Sequence, residues 1–168
     1  VPAKTAHYVG VSSIKNGVEK FSDIKYIGDI NWNNVVFYCR FNSEGQDLSL
    51  INNAPTYGSA VSYSTSVKKF GTASLFCENN INHRISYPAG NFGFAAGEPF
   101  TIEGWFNNSY KPTGFWQSPI GTWGASTGWC IFFTPSGLSF NYNSGGVGYS
   151  IDYPQLVWIH VAVTRDDL

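Results

Sequence analysis

Four aromatic side chains lie close together in SYKPTGFWQSPIGTWGAS, residues 109–126: Tyr110, Phe115, Trp116 and Trp123. Their Gly, Pro and Ser neighbours read as loop. Exposed rings beside Asn and Gln suit stacking on a sugar. The competing reading is that the rings cap the ends of a β-sandwich or bury in a protein contact, where Trp and Tyr are enriched. These four are the candidate ligand-binding residues. No residue is assigned a catalytic role or a metal.

Catalysis is disfavoured by what the other reactive groups lack. Glycoside hydrolysis needs two carboxyls about 5–9.5 Å apart, which on one strand face means acids two residues apart. The eleven acidic residues include no such pair: Asp166 and Asp167 are adjacent in a turn, and Glu98 precedes the strand that holds Glu103. Glu103 is expected to bond neighbouring backbone or a Ser/Thr group. Gly124-Ala125-Ser126-Thr127-Gly128 matches G-x-S-x-G, but a nucleophile elbow needs a helix after it, and WCIFF, a strand, follows. His7, His83 and His160 are isolated, and His160 reads as a satisfied core histidine. Calcium takes six to eight oxygens. Asp47, Asn52, Asn53 and Asp152 are the donors available, with no compact acidic loop, so no cofactor is expected. Cys39, Cys77 and Cys130 have no metal spacing and read as three buried free thiols.

The elements that must carry these residues read as strands. Asn16-Gly17 between SSIK and VEKF supplies the positive-φ pair of a tight hairpin turn. DIKYIGDI (residues 23–30) alternates after it. From Val35 the strands are longer and more apolar: VVFYCRF, FGTASLFCE, PFTIEGWF, and a hairpin in WCIFFTPSGLSFNYN turning at Thr134-Pro135-Ser136-Gly137. VWIHVAVT is apolar on both faces and is expected to be covered on both. No helical period lasts beyond a turn or two. The fold class is all-β, an antiparallel β-sandwich over residues 34–168 with an N-terminal β-rich arm over residues 1–33 that is too small to make its own core.

Composition narrows the setting. Of 168 residues, 17% are aromatic and 12% charged, against roughly 25% charged in an ordinary globular domain. Ten basic and eleven acidic residues give a net charge of −1 without a basic stripe, so a nucleic-acid partner is not expected. No run of eighteen apolar residues suggests membrane insertion.

FGTASLFCENN, EPFTIEGWF, GWCIFFTPSGLSF and VWIHVAVTRDD occur in the order and approximate spacing of laminin-G-like domains. Residues 34–168 resemble that family, a branch of the concanavalin A-like lectin and glucanase jelly rolls. The resemblance implies a jelly-roll topology, and His160 occupies the family's His position. In such domains the W-x-HVAVT strand is followed by a turn and further strands. The sandwich is therefore expected to be incomplete at Leu168, with residues 157–164 pairing with a continuation of the chain or a strand from a second chain.

The functional expectation is a non-enzymatic structural and adhesion module of a larger assembly. The favoured setting is a bacteriophage virion, as a tail fibre, appendage or capsid decoration, with glycan or host-surface binding. Its partners are other virion proteins, docked through residues 1–33, and further copies of itself. A secreted carbohydrate-binding domain of cellular origin is the second reading, and a glycoside hydrolase a distant third.

Overall fold

The computed structural model describes residues 12–15, 18–21, 34–78, 82–88, 90, 92–94, 97–114, 116–122, 128–143, 145–149 and 151–166. Among them are twelve strands in five antiparallel sheets and no α-helix. The chain divides into two compact units, Val1–Pro88 and Ala89–Leu168, a division that falls inside the span 34–168.

In the first unit the strands are short. β1 (Ser12–Lys15) and β2 (Val18–Phe21) pair from Lys15↔Val18 outward, either side of residues 16–17 as the Asn-Gly signal requires. DIKYIGDI lies outside the described residues. β3 (Thr56–Tyr57) pairs with β6 (Ile85–Ser86), and β4 (Ser62–Ser64) with β5 (Ser74–Phe76).

VVFYCRF does not become a strand. Its neighbour, the segment 45–49, meets it with one backbone bond, Leu48 N to Tyr38 O at 2.7 Å. Where a second ladder bond would fall, the Tyr38 N–H donates to the Asp47 carboxylate at 3.0 Å instead. A side chain has replaced a backbone carbonyl, so the ladder stops. Asp47 is 1% exposed. Its oxygens also accept from Ser49 N (2.9 Å), Ser49 Oγ (3.0 Å), Asn53 N (2.9 Å) and Asn53 Nδ2 (2.7 Å). Burial by itself would raise this carboxyl's pKa. The donors from Tyr38, Ser49 and Asn53 outweigh that and hold it below its ordinary value.

The second unit is built from longer strands: β7 (Phe100–Asn107), β8 (Gln117–Gly121), β9 (Trp129–Thr134), β10 (Gly137–Tyr142), β11 (Gly145–Tyr149) and β12 (Trp158–Arg165). β9 and β10 form the hairpin expected at Thr134-Pro135-Ser136-Gly137, closing at Thr134↔Gly137. They sit inside a four-stranded sheet of order β11-β10-β9-β8. β8 is its edge and carries a register shift between Gln117 and Ile120, around Pro119, which has no N–H to give a ladder. β7 and β12 form a separate ribbon. Phe106 of β7 meets Phe133 of β9 edge-on at 5.8 Å, and Phe100 meets Phe140 of β10 at 5.8 Å. The ribbon therefore lies face to face on the four-stranded sheet. Phe94 stacks on Phe100 at 4.2 Å and closes one end over Trp129, whose Nε1 donates to the Phe92 carbonyl at 2.7 Å. Tyr153 packs on Phe133 at the other end.

Two expectations are corrected here. β12 is not covered on both faces: Val161 is buried, but His160, Ala162 and Thr164 are exposed, because the ribbon meets the four-stranded sheet with one face only. The cysteines are free but not all buried. Cys130 is buried, Cys39 half-buried and Cys77 exposed, just past the end of β5.

Candidate functional site

The register of the ribbon builds the site. β7 and β12 pair over eight positions, and residues opposite each other share a face. Phe100, Ile102, Gly104 and Phe106 turn toward the core. Thr101, Glu103, Trp105 and Asn107 take the other face, opposite Thr164, Ala162, His160 and Trp158 respectively. Each strand is extended, so the alternation is obligatory.

Three of these side chains form a cluster. The Trp105 and His160 rings, on directly paired positions, have centroids 5.1 Å apart at an angle of 39°. The His160 Nε2 lies 3.2 Å from Glu103 Oε2, a diagonal contact across the two strands. Trp105 is 41% exposed. A polar contact this open adds at most about 1 kcal/mol to stability. Its effect is geometric: the imidazole is held against the indole, and the carboxylate is held beside both.

This corrects the sequence reading of two residues. His160 is not a core histidine, and Glu103 has an imidazole partner rather than a backbone or Ser/Thr one. The alternation within each strand already separates Glu103 and Trp105 from the core positions, and likewise His160. What it does not contain is the pairing of two segments distant in the chain, which alone brings the three together.

The cluster combines a flat apolar ring, a carboxylate acceptor and an imidazole with both donor and acceptor capacity. That set suits a polyhydroxylated ligand: the ring takes an apolar C–H face and the polar groups take hydroxyls. It does not suit two-carboxyl hydrolysis, since the other residues on this face are Thr101, Asn107, Trp158, Ala162 and Thr164.

Of the four loop aromatics, Tyr110 and Trp116 are among the described residues. Trp116 is 54% exposed and its ring lies 5.2 Å from Phe132. Phe132 alternates with Ile131 and Phe133 and so points away from the ribbon, and Trp116 sits on the opposite side of the unit from Trp105. Tyr110 is 45% exposed, and its hydroxyl is 3.2 Å from Thr113 Oγ1. Phe115, Trp123 and the Ser126 of the G-x-S-x-G match lie outside the described residues. Three of the four oxygen donors considered for calcium are engaged with other protein groups. Asp47 and Asn53 are bonded to each other, and Asp152 pairs with Lys111 at 2.5 Å. Among the described residues no three His, Cys, Asp or Glu side chains gather as a metal site. Compared with family models, with curated proteins and with solved structures, the chain matches none.

Proposed function

We propose that the chain is a non-catalytic binding and assembly module whose ribbon face, Trp105 with His160 and Glu103, contacts a glycan. The carrying observation is that exposed cluster: an indole at 5.1 Å from an imidazole that is itself 3.2 Å from one carboxylate. The architecture to which this reading belongs is a laminin-G-like jelly roll, supported by the four sequence segments and by the face-to-face packing of ribbon and sheet. The setting is a larger assembly, a bacteriophage virion protein by composition, with residues 1–33 as the docking segment and further copies of the chain as neighbours. Low charge and abundant aromatics support that setting. A secreted carbohydrate-binding domain uses the same face and differs only in what residues 1–33 touch.

The test is retardation on native gels cast with β-glucan, xylan or galactomannan, alongside a reducing-sugar assay. At least one polysaccharide should slow the protein, and Trp105→Ala should weaken that binding about tenfold or more, as expected on losing a central aromatic anchor. No reducing sugar should appear. Reducing-sugar release that is lost in Glu103→Gln would establish an enzyme. Absence of retardation by any glycan would remove the ribbon as a sugar site.

A further inference from the structure

The outer edge of β12 is an open hydrogen-bonding surface. In an antiparallel pair, every second residue of a strand turns its N–H and C=O away from the partner. β12 is bonded to β7 on one side, and among the described residues no other strand pairs with it. No backbone group of Trp158 to Thr164 is bonded elsewhere among those residues. The edge is long and even, eight residues in register without a shift. The edge at β8 is different: Pro119 withholds an N–H and the register slips between Gln117 and Ile120. Proline, bulges and charges are the usual means of blunting a sheet edge. WIHVAVT, residues 158–164, contains no proline, lysine or acid. Apolar surface accompanies the edge. Val161 is buried, but Ile159 and Val163 on the same face are half-buried. Just before the strand, Val157 is 51% exposed and Leu156 71%, the most exposed large apolar side chain described. Leu156 is fixed there, its N–H donating to the Asn108 carbonyl at 2.8 Å. An adjoining strand would cover this surface and satisfy the edge together.

The residues of β12 select the occupant, because the strand is complementary to itself. Directly opposed residues of an antiparallel pair share a face. About a two-fold axis at Val161, Ile159 falls opposite Val163 of the other copy and the two Val161 side chains meet, all on the face toward the four-stranded sheet. On the open face Trp158 falls opposite Thr164, and His160 opposite Ala162. Apolar residues meet apolar ones on the inner face, and no like charges are opposed. We infer that β12 pairs with β12 of a second copy of this chain, joining two ribbons into one sheet of order β7-β12-β12-β7. Ala162 is already opposite Glu103 in its own ribbon, so His160 of one copy shares a row with Ala162 and Glu103 of the other. The two clusters of Trp105, His160 and Glu103 then lie on one continuous face. This gives the neighbouring copies of the assembly reading their contact, and it holds whether or not that face binds glycan.

The experiment is sedimentation equilibrium of the full chain without glycan, joined to isotope-filtered NOE spectra of a mixture of labelled and unlabelled protein. A reversible dimer is expected, with intermolecular NOEs between the methyl groups of Ile159 and Val163. Ala162 is exposed and faces Glu103 across the ribbon, so Ala162→Lys is tolerated by the fold while it sets two ammonium groups near each other across the two-fold axis. That variant should weaken the dimer about tenfold or more, as charges do at a strand edge, and Ala162→Ser should leave it unchanged. The proposal is overturned if the chain is monomeric at every concentration, if it polymerises without limit, if the intermolecular NOEs arise outside β12, or if Ala162→Lys dimerises as tightly as the parent. Because no glycan is present, failure here is separate from failure of the ribbon as a sugar site.

Discussion

The interior of residues 89–168 is packed largely by aromatic rings around Ile131, whereas among the described residues of 1–88 the largest fully buried side chain is a carboxylate. Ile131, Cys130 and Pro112 have that rank in the second unit, and Asp47 has it in the first. The second unit has strands of five to eight residues, long enough for one face to present a continuous apolar stripe to the opposite sheet. The first has strands of two to four residues, too short for that. It is tied instead by bonds from side chains to backbone: the Asp47 network, and the Tyr57 and Tyr87 hydroxyls bound to the two backbone groups of Gly45 at 3.0 and 2.5 Å. A core of rings holds without regard to protonation. A core of hydrogen bonds to ionisable groups does not, so the two units should part company under mutation and under pH.

The largest expected effect tests the ring core. Phe133 is 3% exposed and touches both Phe106 and Tyr153. Phe133→Ala removes the contact that seats the ribbon and one that seats Tyr153, and should cost about 3–5 kcal/mol. Hydrogen exchange followed by segment is the appropriate measurement. Protection should fall across β7, β9, β10 and β12 and be retained in residues 34–78. Equal loss in both units would mean that they unfold as one and that the ring core supports both.

A smaller effect with a distinct pH signature belongs to the first unit. Asp47→Asn keeps the shape but turns an amide toward N–H donors that a carboxylate satisfied. A cost of about 2–3 kcal/mol follows, since hydrogen bonds to a charged group are the stronger kind. The folded-state pKa of Asp47 is depressed. Its contribution is therefore fully present above the ordinary carboxyl value of 3.8 and is lost as pH falls below that through the lower folded value. Acid titration of the parent should release exchange protection in residues 34–53 before it does so in β9. In Asp47→Asn that acid-dependent step should be absent. A parent chain whose two units lose protection at the same pH would show that Asp47 does not govern the first.

What the sequence disclosed follows the same division. The β9–β10 hairpin was legible because Pro135 and Gly137 mark its turn and WCIFF and LSF flank it with apolar residues; local chemistry and tertiary packing agree there. The SSIK and VEKF strands were legible from the local turn signal of Asn16-Gly17. VVFYCRF has the alternation of a strand and keeps part of it, with Val36 and Arg40 exposed and the odd positions half-buried, though Tyr38 is half-buried as well. It still fails to pair, because Asp47 takes the Tyr38 N–H. A hydrogen bond between a side chain and a backbone group nine residues away leaves no trace in hydrophobic period. The β12 strand misled in the opposite sense. Trp158, Ala162 and Thr164 look like core lining, but burial is decided by what lies opposite, and only one face of the ribbon has a sheet against it. The same open face brings Glu103, Trp105 and His160 together, so the error over β12 and the missed cluster have one cause.

The smallest expected effect sharpens the comparison at the alkaline end. The Tyr63 hydroxyl is buried and makes no hydrogen bond of full geometry among the described residues, although it interacts with the Tyr57 hydroxyl. Burial, with Tyr57 and Cys39 nearby, pushes its pKa up to about 12. A raised folded pKa means that the folded chain holds this proton more tightly, so stability is unaffected by it below the unfolded value of 10.0 and falls as pH rises from there toward 12. Tyr63→Phe removes an incompletely satisfied polar atom and should stabilise the chain at pH 7 by about 1 kcal/mol or less. It also removes one alkaline titration, so its advantage over the parent should widen between pH 10 and pH 12. Tyr87 is raised as well, by burial and by its neighbour Cys39, but it is common to both proteins and cancels in the difference. Urea midpoints at pH 7, 10 and 11.5 give the comparison directly, and exchange in β9 and β10 should be the same in both proteins at each pH. A Tyr63→Phe variant less stable than the parent at pH 7 would mean that the Tyr57 contact satisfies the hydroxyl after all, and that the polar interior of the first unit is more completely satisfied than its geometry indicates.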